Sequence, residues 1–139
     1  MEVHDPMVSY QRTDDSTVIS IMDMIRNGVT FNQFEKVAKR IPFSTTECSN
    51  FLHISERTIQ RYQAENKTFE PLQSEKITQL TMLCNYGINV LGSATNFFSW
   101  LNTPSVALGN IAPKSFLDNS FGIDYIKHEL GRIEHGVLA

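Results

Sequence analysis

Two short runs fix the start of two helices and leave the intervening chain little freedom. Thr30-Phe-Asn-Gln33 and Ser44-Thr-Thr-Glu47 each place a hydroxyl to accept from the first free N–H groups of a helix. In each, a glutamine or glutamate three residues on reaches back to the cap. After the first run, Phe31, Phe34, Val37, Ala38 and Ile41 share one helical face. Pro42 then ends the helix, because the residue before proline resists helical backbone. After the second run, Cys48, Phe51 and Leu52 face inward over a short helix that gives way near His53-Ile54. Ser55 caps the next helix, and Ile54 and Ile59 are spaced as a hydrophobic staple across its start.

The same stepping by three and four recurs elsewhere. Val18, Ile21, Met22 and Ile25 form a stripe that stops at Gly28. A long helix is predicted from about residue 72 to residue 91, with Ile77, Leu80, Cys84, Ile88 and Leu91 on one side. Gly87 inside it points to the close approach of a neighbour. Ala94, Phe97, Phe98 and Leu101 follow after Gly92, with Trp100 beside them. Pro104 and Pro113 open short helical turns, and a terminal helix follows Asp118-Asn119-Ser120. No period-2 alternation is long enough for a strand, so the chain reads as all-α. The expected architecture is an N-terminal helix-turn-helix bundle followed by a small helical domain. The polar stretch Ala64–Pro71 marks a boundary. The expected units are a loose tail over 1–15, a first domain over 16–68 and a second over 69–139.

Composition excludes several classes. Hydrophobic residues make up 41% and charged residues 19%, a globular balance. No apolar run suits a membrane helix, and the acidic start Met-Glu-Val-His-Asp-Pro does not look secretory, so a cytoplasmic protein is expected. Cys48 and Cys84 read as two reduced, buried thiols. Without a Cys-x-x-Cys pair or His-Glu-x-x-His, no metal or other cofactor is expected. The net charge of −3 is uneven: residues 30–68 carry six basic and four acidic groups, while both flanks are acidic.

Two constellations carry chemistry. Residues 44–63 make a short helix, a turn and a second helix whose start bears small polar and cationic side chains. That chemistry suits the DNA major groove, where arginine reaches guanine and glutamine reaches adenine. Ser55, Arg57, Thr58, Gln60 and Arg61 are the candidates, with Ser44 at the cap of the first helix. Glu56 opposes phosphate, and a plain helix pair with a solvated outer face fits the same spacing. The second constellation is the terminal helix. Ile123, Ile126, Leu130, Ile133 and Val137 form its apolar stripe, and Tyr125, His128, Arg132 and His135 form a polar one. The polar stripe fits a solvated face or a partner surface. Arg132 between the histidines opposes a metal ion, and no nucleophile is fixed nearby, so no enzyme is expected.

Residues from about Phe97 onward resemble the toxin-binding domain of Xre/ParS-type antitoxins. The match runs through Trp100-Leu, Pro104, Ala107-Leu-Gly109, Pro113, Phe116-Leu117-Asp118, Gly122 and Leu130-Gly-Arg-Ile-Glu-His-Gly136. Residues 44–63, including Ser55-Glu-Arg-Thr-Ile-Gln-Arg61, resemble the family's Xre-like helix-turn-helix. Asn110 stands where the family usually has a second glycine, and asparagine tolerates left-handed backbone. The resemblance implies an antitoxin of a type II toxin–antitoxin module, a homodimer within a larger complex that represses its own promoter by binding operator DNA. The implied partner is a RES-domain toxin that degrades NAD⁺, with the antitoxin's C-terminal helix blocking its active-site cleft. Glu129, Glu134 and the carboxylate of Ala139 then become anionic occupants of that cleft beside Tyr125, His128, Arg132 and His135. Arg132, Glu134 and His135 are the favoured three. The alternative is a helix-turn-helix regulator with no toxin partner.

Overall fold

The computed structural model describes residues 15–136, so the expected N-terminal tail, Val137 and Ala139 lie outside the described residues. Seven α-helices and two 3-10 turns make up the described chain. They are α1 (Asp15–Asn27), α2 (Phe31–Arg40), α3 (Thr45–Leu52), α4 (Glu56–Glu65), α5 (Pro71–Leu91) and α6 (Ala94–Asn102). The 3-10 turns Val106–Leu108 and Pro113–Phe116 follow, then α7 (Ser120–Glu134). Among the described residues there are only two isolated β-bridges, and no helix is long and apolar enough to cross a membrane.

Both capping boxes form. Thr30 Oγ1 accepts from the Gln33 N–H at 3.3 Å while Gln33 Oε1 accepts from the Thr30 N–H at 2.9 Å. Ser44 and Glu47 repeat the exchange at 3.0 and 2.9 Å. The turn between α3 and α4 is made by His53, whose φ of 56° is left-handed. Ser55 then caps α4 by accepting from the Thr58 N–H at 3.1 Å.

α5 is the centre of the molecule. It packs against α1, α2, α3, α6 and α7. Its burial extends beyond one stripe to Ser74, Thr78, Thr81, Leu83 and Tyr86. Its hydroxyls are satisfied locally: Thr78 Oγ1 donates to the Ser74 carbonyl at 2.8 Å and Thr81 Oγ1 to the Ile77 carbonyl at 2.7 Å. Buried polar groups without such partners would be strongly unfavourable. Gly87 lies against the Phe97 ring, which occupies the space a Cβ would need, so the close approach expected there is present.

The stretch 64–71 is stitched to the α1–α2 junction. Phe69 N–H donates to the Val29 carbonyl at 2.7 Å, and the Phe69 ring is buried within 6.2 Å of the rings of Phe31, Phe34 and Tyr62. One buried aromatic outweighs the polar residues around it. On α1, Val18 and Met22 are exposed, as is Ile19, while Thr17 is buried and Ile21, Met24 and Ile25 are half-buried. The stripe is turned because α1 is an edge helix packed chiefly on α5, which covers only a narrow strip of it.

Candidate functional site

Two surfaces carry the candidate residues. The first is the α3–α4 pair. Ile59 is buried, and Arg57, Gln60 and Arg61 are exposed. The Arg61 guanidinium lies 5.7 Å from the centroid of the Tyr62 ring, a cation–π distance that directs the side chain. Ser44 and Ser55 sit at the two helix starts, where unpaired N–H groups favour an anion. Their hydroxyls are committed to capping, and Ser55 Oγ also donates to Thr58 Oγ1 at 2.9 Å. The arginines and Gln60 are therefore the side chains presented outward, while the serines and Thr58 shape the helix start. Glu56 accepts from Thr46 Oγ1 at 3.1 Å, which ties α4 to α3.

The second surface is α7. Asn119 caps it, its Oδ1 accepting from the Gly122 N–H at 2.7 Å. Ile123, Ile126 and Leu130 are buried, each burial stabilising by about 1.5–3 kcal/mol. Ile133, expected on the same stripe, is exposed. Tyr125, His128, Arg132 and His135 lie exposed on the outer side. Tyr125 is 50% exposed and stacks on Phe116 with centroids 5.8 Å apart. His128 Nδ1 is 3.6 Å from the Asp124 carboxylate. A shallow groove of about 330 Å³ runs along this side, lined by Tyr86, Lys127, His128, Gly131, Arg132 and His135.

The two glutamates are placed differently. Glu129 is only 7% exposed, with Oε2 3.9 Å from Arg132 Nη1, so it faces the domain and not the solvent. It sits next to Leu130, on the packed side of the helix. Glu134 accepts from the Tyr86 hydroxyl at 2.9 Å, which fastens the end of α7 to α5. Ala139 is outside the described residues. Tyr86, Lys127 and Gly131 were not among the sequence candidates. Tyr86 carried no distinguishing signal, since α5 mixes polar and apolar residues along its length. Phe121, 91% exposed at the start of α7, was also missed.

Among the described residues, no group of histidine, cysteine or acidic side chains is arranged to hold a metal ion. Cys48 and Cys84 are free and buried. Burial pushes the Cys48 thiol up to about 11, with the Glu47 charge adding to it. Burial pushes Cys84 up to about 12 against the opposing charge of Arg40. Neither is poised as a nucleophile.

The chain is similar to known proteins over both of its halves. Residues 20–81 match the model of the antitoxin Xre-like helix-turn-helix domain. Residues 87–136 match that of the antitoxin Xre/MbcA/ParS C-terminal toxin-binding domain. An antitoxin Xre of Yersinia enterocolitica serotype O:8 / biotype 1B is 23% identical over 120 residues, covering 86% of this chain and 81% of the relative. An antitoxin Xre of Photorhabdus laumondii subsp. laumondii is 21% identical over 117 residues, covering 84% and 79%.

Proposed function

The chain belongs to the Xre/ParS-type antitoxins, with their helix-turn-helix and toxin-binding domains in order, and from that premise we propose that it neutralises a RES-domain toxin that degrades NAD⁺ by laying α7 across the toxin's active-site cleft. The observation that carries this reading is the division of α7. Ile123, Ile126 and Leu130 anchor it in its own domain, and Tyr125, His128, Arg132 and His135 remain exposed beside a groove. A cleft that admits a pyrophosphate dinucleotide is lined by donors and cations. The Glu134 carboxylate matches that lining, and Arg132 and His135 match acidic groups at its rim. In this reading Glu129 supports Arg132 from beneath, since its carboxylate is buried against it.

Residues 16–68 act as the DNA-binding unit and residues 69–139 as the dimerisation and toxin-binding unit, with operator binding giving autoregulation by a homodimer within a larger toxin–antitoxin complex. Exposed Arg57, Gln60 and Arg61 at the start of α4 support the operator contact. Ser44, Ser55 and Thr58 contribute through the helix starts they cap.

The experiment is co-expression with a RES-domain toxin, with growth and cellular NAD⁺ as readouts. The full chain is expected to restore both. A form ending at Leu130, which keeps the buried anchors, is expected to restore neither while still binding DNA. Rescue by the shortened form overturns the cleft-blocking mechanism. Failure of the full chain to rescue, with DNA binding retained, favours a regulator without such a partner.

A further inference from the structure

α3, the first helix of the helix-turn-helix, is held at both ends by the C-terminal half. At its start, the capping box fixes the Glu47 side chain: Oε1 accepts from the Ser44 N–H at 2.9 Å. Its other oxygen, Oε2, is thereby presented outward, where it pairs with Lys114 Nζ. Lys114 is itself confined. Its ammonium donates to Asn102 Oδ1 on α6 and lies 5.9 Å from the centroid of the Phe98 ring. At the other end of α3, the His53 Nε2–H donates to the Asp118 carbonyl at 2.7 Å. His53 is the left-handed residue of the turn itself. Lys114 and Asp118 flank Leu117, which is fully buried, so the two clamps share one anchored segment.

We propose that Lys114 and Asp118 are positioning residues for operator recognition, fixing α3 and through it the angle at which α4 meets DNA. The proposal rests on the DNA-binding reading above. α4 packs on α3 and α2, its Tyr62 ring rests on Phe69, and its start is tied to α3 where Glu56 receives the Thr46 hydroxyl. Small misplacements of a recognition helix are felt strongly, because hydrogen bonds to base edges tolerate little change in distance or angle. The clamp segment also touches the toxin-binding face, since Phe116 stacks on Tyr125.

The test measures binding of the intact chain to duplex DNA from immediately upstream of its own reading frame, over a range of salt concentrations. Failure of the wild type to bind sinks the DNA reading itself. If the wild type binds, Lys114→Gln is expected to weaken affinity by about tenfold with its salt slope unchanged, because no phosphate contact is lost. Lys114→Arg is expected to restore it. An unchanged affinity overturns the proposal. So does a salt slope reduced by about one, which would make Lys114 a direct phosphate contact. If Lys114→Gln does not fold by circular dichroism, His53→Asn carries the same two readouts. Asparagine keeps the left-handed turn but is too short to reach the Asp118 carbonyl.

Discussion

Gly122 lies hard against the Phe116 backbone: a Cβ on Gly122 would stand 1.8 Å from the Phe116 carbonyl oxygen, well inside contact distance. The obstacle is backbone and cannot swing away. Gly122→Ala must therefore push the 3-10 turn Pro113–Phe116 off the start of α7. Overpacking of this kind costs about 1–3 kcal/mol, and a backbone neighbour places it at the upper end. Urea unfolding should show a lowered midpoint, and Tyr125 should lose its stacking on Phe116. A wild-type midpoint in the alanine variant would mean that the turn does not rest on α7.

Arg57→Ala and Arg61→Ala should each weaken operator binding by about 1–3 kcal/mol if they reach base edges. Toxin binding should be untouched, because both side chains lie on α4, away from α7. Gel-shift titration for DNA and co-purification for the toxin separate the two. Unaltered repression of a promoter reporter by the double variant would remove α4 from the groove.

What could be read in the chain beforehand was what is settled locally. The capping boxes Thr30/Gln33 and Ser44/Glu47 are exchanges between residues three apart, so their chemistry is complete in the sequence. Asn110 likewise takes the left-handed φ of 64° that its residue type allows. The features that escaped are set by distant partners. Nothing near Glu129 signals that it is buried, because the helix face is decided by α5. His53 meets Asp118 across 65 residues, and Lys114 meets Glu47 across a similar gap. The face of α1 was misjudged for the same reason: periodicity locates a stripe but not how much of it a neighbour covers. For the α7 surface, spacing alone separated the Tyr125/His128/Arg132/His135 face from the isoleucine and leucine face, and the structure keeps those four exposed.

Cys48 and Cys84 should resist modification in the native state. Their thiols are pushed up to about 11 and about 12 by burial, so little thiolate exists at neutral pH. A thiol reagent such as dithionitrobenzoate should react with neither at pH 8 and with both in denaturant. The raised values also predict alkaline weakening. The neutral thiols stabilise the fold below their ordinary value of 9.0, and that contribution is lost as pH rises from there toward the folded values. Replacing both cysteines with alanine should flatten this alkaline limb, although the cavities would lower stability at neutral pH. Fast native labelling would contradict the burial on which the argument rests.

The Glu47–Lys114 pair predicts the opposite limb. Burial pushes the Glu47 carboxyl up, but the Lys114 hydrogen bond, the Ser44 N–H, and the charge of Lys114 together bring it below its ordinary 4.5. A depressed carboxyl contributes stability above the unfolded value, and loses it as pH falls through the folded one. The contribution should thus be complete at pH 7, begin to fall below the ordinary 4.5 and be lost as pH drops through the depressed folded value. Lys114→Gln removes the partner, so it should lower stability at pH 7 by on the order of 1 kcal/mol, the range for pairs that stay partly hydrated. In acid below the folded value the variant and the wild type should converge, since Glu47 is then protonated in both. Urea unfolding at pH 7 and along the acid limb measures the difference directly. A gap that stays constant as pH falls through the acid limb would assign the effect of Lys114 to its packing on Phe98 and its bond to Asn102, leaving the ion pair with none.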